Sequence, residues 1–217
     1  MPNYCSNTIT IRGDKDTLDE FVKRVTVAPD KREADGQEYE ILKSLYPTPQ
    51  ELVMVSGWSA DETVQTEREK QYDANHAKYG SRDWYDWNCK HWGTKWGDCD
   101  TVLLQHTDKI VQFSTLTAWS PPLEGISTIS KMFPTLEFCV VYDESNMGFF
   151  GVTAFDADGV IIDECRQYEQ LDGYAELDFE ADDYDDTYEK LCELVDNATQ
   201  RILDDLGFGH REHQEVR

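Results

Sequence analysis

Basic residues are scarce in this chain of 217 residues. Twenty Lys and Arg face 44 Asp and Glu, for a formal charge of −24. A surface this negative repels phosphate backbones and anionic lipid, so direct nucleic-acid binding through a basic patch is not expected. No run of about 18 apolar residues occurs, so no membrane span is expected. The opening MPNYCSNTITIRGD lacks the basic stretch and apolar run of a secretion signal, which points to the cytoplasm. The six cysteines, at 5, 89, 99, 139, 165 and 192, include no CxxC pair. A chain of this length that can build its own core is expected to keep them reduced, with Cys139 in an apolar run reading as core.

Catalytic motifs are missing too. There is no GxSxG and no Gly-rich phosphate loop, and His76, His91, His106, His210 and His213 form no evident constellation with Ser or Cys. No catalytic residue and no cofactor is assigned. Cys89, His91 and Cys99 are close enough to share a metal, but the spacing is loose and a fourth ligand is not evident, so no metal is expected. Asp156-Ala157-Asp158-Gly159 resembles a piece of a calcium loop. It lacks a third spaced oxygen ligand, and Gln167 stands where an EF-hand needs Glu.

What is present is apolar material and unevenly placed acid. Hydrophobic residues make up 39% and aromatics 12%, enough for a packed core. Residues 1–100 carry a net −6 and residues 101–217 a net −18; within the latter, 156–205 hold 3 basic and 18 acidic residues.

Periodicity gives the elements. Residues 6–12 alternate through Ile9 and Ile11 as a strand. Thr17-Leu18-Asp19-Glu20 has the capping-box pattern, and Leu18, Phe21, Val22 and Val25 follow at helical spacing to about Val27, with Pro29 ending the helix. Residues 28–40 read as a charged loop, Ile41–Leu45 is ambiguous, and 60–79 suit either a solvated helix or a mobile insertion. Residues 83–97, DWYDWNCKHWGTKWG, read as a short helix broken at Gly93, then a tight loop. A second strand runs over 109–117, and a second helix follows from Leu123 through Met132 to Pro134. Strands are expected at 136–142, 149–155 and 160–165, with a hairpin turn at 156–159. Tyr184, Tyr188, Leu191, Val195, Ala198, Ile202 and Leu206 mark a last helix, acidic at its start and capped by Gly207.

This order is that of an α+β, ferredoxin-like antiparallel sheet covered by helices on one face, with a Trp-rich insertion and an acidic C-terminal helix. The expected organisation is a ferredoxin-like domain at 1–165 with an insertion at about 28–108. An acidic connection and C-terminal helix, 166–217, then pack on the same domain.

Three segments carry a resemblance: Met1-Pro2-Asn3-Tyr4-Cys5-Ser6-Asn7, Trp84-Tyr85-Asp86-Trp87 through Trp92-Gly93-Thr94-Lys95-Trp96, and Thr117-Ala118-Trp119-Ser120-Pro121-Pro122. Together, over roughly residues 1–155, they resemble the YubB-type ferredoxin-like proteins of bacteriophages and conjugative plasmids, which more often have Trp where Tyr4 stands. The resemblance implies a ferredoxin-like core and residence on mobile DNA. It carries over no catalytic residue, and fold does not supply function.

Two groups are candidate sites. Trp84, Trp87, Trp92, Trp96 and Trp119, with Lys95, form a candidate aromatic platform for stacking bases or anchoring a partner. The plainer expectation is that these tryptophans pack as a second small core and that Lys95 makes a cation–π or ion-pair contact. The second group is acidic: Asp172, Glu176, Asp178, Glu180, Asp182, Asp183, Asp185, Asp186 and Glu189. These are spread along a linear stretch, whereas catalysis needs carboxylates converging in a cleft. Solvation is their plain reading and a host protein with a basic surface the sharper one.

The leading expectation is therefore a cytoplasmic phage or plasmid accessory protein, not an enzyme, that binds and inhibits a host defence nuclease or restriction-type protein by mimicking or displacing nucleic acid. The alternatives are a single-stranded nucleic-acid binder using the Trp platform, and an enzyme or binder of a small nucleotide signal.

Overall fold

The computed structural model describes residues 3–32, 36–53, 58–179 and 184–208, of which Tyr184 by its backbone only. The elements run β1 (Tyr4–Arg12), α1 (Lys15–Val25), α2 (Leu42–Leu45), α3 (Glu62–Tyr79), α4 (Trp84–His91), β2 (Cys99–His106), β3 (Ile110–Ala118), α5 (Leu123–Ser130), β4 (Glu137–Glu144), β5 (Phe149–Asp156), β6 (Gly159–Gln167) and α6 (Tyr184–Asp205). The strands form one antiparallel sheet in the order β2-β3-β1-β4-β5-β6. The β2-β3-β1-β4 part, with α1 and α5 as its crossovers, is the ferredoxin-like arrangement, and β5 and β6 extend it as a meander.

Register places the core. Ile9 lies opposite Phe113 on one side and Val140 on the other; Ile11 lies opposite Val111 and Phe138. Side chains alternate along a strand, so these six form one apolar patch on one sheet face. Leu18, Phe21 and Val25 of α1 and Ile126 and Ile129 of α5 close over it, all fully buried. Phe21 sits at the centre, with its ring 5.2 Å from Phe133 and 5.8 Å from Phe138 at steep angles.

α1 starts earlier than its sequence pattern suggests. Asp14 is the cap: its carboxylate accepts from the Thr17 N–H (3.0 Å) and hydroxyl (2.7 Å), so Thr17 is already inside the helix. The helix also stops two residues sooner than expected. Thr26 turns extended and bridges Tyr39, and the Val27 N–H donates to the Glu38 carbonyl.

The sequence-derived insertion at about 28–108 is too long. Its last part, Cys99–His106, is β2, an edge strand of the sheet itself. Two register shifts interrupt its pairing with β3, and Val102 and Leu104 point to solvent. Burial still alternates strictly along β2, but apolar Val102 and Leu104 stand at outward positions and polar Thr101 and Gln105 at inward ones, so residue type does not follow the alternation by which a strand is read from sequence.

α1 and α5 cover one face of the sheet, and α6 packs on the other, over β4 and β5. Leu191 and Val195 meet Phe150, while Ile202 meets Cys139, Val152 and Ala154. Of the apolar stripe, Leu191, Val195 and Ile202 are buried, Ala198 and Leu206 are half-buried, and Tyr188 is exposed. Gly207, left-handed at φ 71°, ends the helix, and the Phe208 N–H returns to the Leu203 carbonyl (2.8 Å). Arg12 clamps this end to β1: it pairs with Glu137, donates to the Gly207 carbonyl (3.0 Å), and lies 3.9 Å from the Phe208 ring centre. No helix among the described residues is long and apolar enough to cross a membrane.

Gly151, in the middle of β5, has no room for a side chain: a Cβ there would overlap the Tyr142 hydroxyl and the Glu164 carbonyl of the two flanking strands. Gly151→Ala should cost about 3 kcal/mol, read as a lowered urea midpoint with an unchanged slope.

Candidate functional site

The three motif segments, the first from Asn3 onward, converge on the end of the sheet where β1 starts and β3 finishes. The buried Asn7 amide donates to the Thr117 hydroxyl (2.9 Å), and to the carbonyls of Cys5 (2.9 Å) and Thr115 (3.2 Å). The Thr117 hydroxyl donates to the Ser120 carbonyl (2.7 Å), and the Ser120 hydroxyl to the Gly93 carbonyl (2.6 Å). The Thr94 hydroxyl donates to the Ala118 carbonyl (2.8 Å), while the Ala118 N–H donates to the Trp96 carbonyl (3.1 Å). Gly93 is left-handed at φ 81° and lies close to the Pro121 carbonyl and Glu124. Asn7, Thr94 and Thr117 are buried and Ser120 half-buried, and these polar groups are spent on one another and on nearby carbonyls. Their chemistry is attachment of the insertion, with no reactive group held ready.

The tryptophans divide into two sets. Asp83 caps α4, its carboxylate accepting from the Asp86 N–H (3.1 Å). The helix then turns Trp87 inward, where it stacks on His91 at 4.6 Å and meets Trp92 at 5.9 Å. Trp92 donates its Nε1–H to the Tyr46 carbonyl (2.8 Å), and the Tyr46 hydroxyl is 2.9 Å from His91 Nδ1. Trp87 and Trp92 are 5% and 3% exposed and belong to the main core, not to a separate one. They are therefore removed from any base-stacking platform. Trp84 and Trp96 are half-buried, and Trp119, left-handed at φ 71°, is 41% exposed. Lys95 Nζ lies 4.3 Å from the Trp96 ring, 4.9 Å from Trp119 and 5.6 Å from Tyr85, so this aromatic surface already holds a cation of its own.

His91 is thus engaged with Tyr46 and Trp87, and burial lowers its pKa. No group of three or more His, Cys, Asp or Glu among the described residues is placed to hold a metal ion. Cys5 and Cys139 are buried, and burial pushes both thiols up to about 12, which keeps them as thiols. Cys89, Cys165 and Cys192 are exposed.

Of the acidic candidates, Asp172, Glu176, Asp178, Asp185, Asp186 and Glu189 are exposed; Glu180, Asp182 and Asp183 lie outside the described residues. The connection is tied to α6 by the buried Thr187, whose hydroxyl donates to the Asp178 carbonyl (3.0 Å). Two further acids belong with these. Asp186, Glu189, Glu193 and Asp196 follow one another three or four residues apart, on the side of α6 away from its buried stripe, and all are exposed. Glu193 and Asp196 could have been found by phasing the helix against Leu191, Val195 and Ile202. Lys190 pairs with Asp186; among the described residues no ion pair reaches Glu189, Glu193 or Asp196.

A buried carboxylate was missed altogether. Asp98, 3% exposed and left-handed at φ 56°, accepts from the N–H groups of Ile41 (2.8 Å), Leu42 (3.1 Å) and Lys43 (2.8 Å). It caps the four-residue α2 from across the insertion. Burial pushes its carboxyl upward, against the pull of those three amides.

The fold is α+β and ferredoxin-like. Residues 91–188 match the family model described as the ferredoxin-like domain in Api92-like protein. The matched region runs from the end of α4 into the start of α6, and so takes in the five strands β2 to β6 together with α5. Among solved structures, the crystal structure of a protein Api92 from Yersinia pseudotuberculosis is similar, with a TM-score of 0.48 at 11% identity, covering 76% of this chain and 98% of that one. No curated protein matches.

The division of the tryptophans has a measurable consequence. Trp87→Ala should lower stability by about 4 kcal/mol, whereas Trp119→Ala should cost less than about 1 kcal/mol. Urea unfolding followed by far-UV circular dichroism separates the two.

Proposed function

We propose that this is an acidic accessory protein of the YubB type, carried by a phage or plasmid and acting in the cytoplasm of a bacterial host. Its target is a basic host protein, a nuclease or restriction-type defence factor, which it inhibits by occupying the surface meant for nucleic acid. The observation that carries the reading is the ridge on α6. Asp186, Glu189, Glu193 and Asp196 are exposed, and three of the four have no ion-pair partner among the described residues. Steps of three or four residues at about 1.5 Å per residue space these charges by about 5 Å. That is the order of the charge spacing along one nucleic-acid strand, about 3.4 Å along the axis. A basic groove built for phosphates would meet such a row with complementary potential, which speeds encounter and selects the partner.

The competing readings have less behind them. A Trp platform for single strands loses Trp87 and Trp92 to the core, and Lys95 already occupies the aromatic surface that remains. The experiment is capture from host lysate by the immobilised protein at low and high salt. A stoichiometric basic partner should bind at low salt, weaken at high salt, and be lost with Glu189→Gln, Glu193→Gln and Asp196→Asn combined. Capture that ignores these substitutions, or direct retention of nucleic acid by the isolated protein, would refute the reading.

A further inference from the structure

α6 does not lie flat along the whole of β4. Toward its N-terminal half a cleft of about 200 Å³ opens between the helix and the sheet. Strand alternation explains it: Cys139 and Val141 face α6, and the next residue on that side is Asp143, which cannot continue the apolar contact. Asp143 forms one wall with Ser6 and Thr8 of β1. Tyr188 and Asp196 of α6 form the other, and Tyr168 closes one end. The Tyr168 hydroxyl donates to Asp143 Oδ2 (2.7 Å). Val141, Leu191 and Val195 supply apolar lining, and no Lys, Arg or His lines the cleft among the described residues.

We propose that this cleft binds a small organic cation, an alkylammonium or guanidinium group, against the carboxylates of Asp143 and Asp196. Size limits the ligand first: about 200 Å³ falls below the roughly 300 Å³ at which sites for drug-sized molecules begin, so the cleft takes a head group with a short chain and not a nucleotide. Charge limits it next, since two carboxylates without a basic neighbour reject phosphate and carboxylate ligands. A metal is excluded by the donor set, because no three ligating groups are assembled among the described residues. Two phenol rings beside an apolar floor suit a cation carried on a hydrocarbon stem. Burial pushes the Asp143 carboxyl upward; the Tyr168 hydrogen bond pulls it back, and the charges of Glu144 and Asp196 push it up again, while burial raises Cys192 and Tyr188 beside it as well. A bound cation would relieve this crowding of acids. The inference goes beyond the partner reading, because the outer ridge of Asp186, Glu189 and Glu193 does not line the cleft.

The test is an amide chemical-shift titration with agmatine, with putrescine, and with a capped Gly-Arg-Gly tripeptide, using butanol as a neutral control. The expected result is a saturable shift confined to the cleft lining (β1 at Ser6 and Thr8, β4 near Asp143, Tyr168, and α6 from Tyr188 to Thr199), weakened by salt and absent with butanol. Agmatine or putrescine binding at least as tightly as the tripeptide would assign a free amine as the source; a tighter tripeptide would assign a protein side chain. Asp143→Asn with Asp196→Asn should lower affinity at least about tenfold, equivalent to one charge-assisted contact. Asp196→Asn alone, at an exposed position, tests the site without risk to the fold, and should lower affinity while the melting temperature stays unchanged. Glu189→Gln with Glu193→Gln, which removes ridge charge only, should leave the cleft titration intact even if partner capture is lost. Absence of a saturable shift, equal binding of butanol, or affinity unchanged by the cleft substitutions would overturn the proposal.

Discussion

The attachment of residues 26–98 to the sheet is the constraint on which the rest of this molecule depends. That stretch leaves the domain after α1 and must return as β2, and loop closure over such a length is repaid only by contacts at its ends. Two sets of buried polar groups make the return. Asp98 gathers the three N–H groups that begin α2, and the path Asn7–Thr117–Ser120–Gly93 joins β1, β3 and the loop after α4. Trp87 and Trp92 fill the space between them, inside the same core as Phe21 and Phe138. Each polar link is satisfied at both ends, so a single substitution would leave a buried partner stranded, which costs more than the bond contributes. The residues that look most distinctive in the sequence are thus the ones holding an elaborated domain together.

Much of the fold was readable because its periodicity is clean. β1, β3, β4 and α6 each show one uninterrupted period, and tertiary contacts agree with it. β2 was hidden since its solvent side carries Val102 and Leu104 while its inner side carries Thr101 and Gln105, so its residue types do not alternate as its burial does. α2 was ambiguous because a four-residue helix has no period to read, and its cap, Asp98, stands more than fifty positions away. The second covered face did leave a trace. Apart from Thr153, Phe149 through Phe155 carries no polar side chain at odd or even positions, which is the pattern of a strand buried on both sides. Read that way, β5 asks for a helix on each face, and α5 and α6 supply them.

The candidate sites were legible in a different degree. Composition located the tryptophans and the acid, but it could not say which way each side chain points. His91 follows Trp87 by four positions, so one face of α4 carries both, Trp87 into the core and His91 half-buried against it. Trp119 and Lys95, on loop backbone with no period, were left for tertiary structure to place. Asp143 gave no signal at all, since an acid at the end of an alternating strand reads as solvent-facing until α6 is known to lie over that side.

α6 therefore separates two roles along its circumference. Leu191, Val195 and Ile202 hold it to β4 and β5, while Glu189 and Glu193 stand on its outer side. Asp196 sits at the boundary, exposed on the ridge yet lining the cleft. Because the buried stripe and the charged ridge share no residue, charge can be removed from the ridge with little effect on packing; exposed groups of this kind are worth well under about 1 kcal/mol each. The net negative charge itself opposes compaction through self-repulsion, and screening by salt relieves it. Salt therefore pushes the two properties of the helix in opposite directions: it steadies the fold that carries the carboxylates and weakens whatever cation those carboxylates attract.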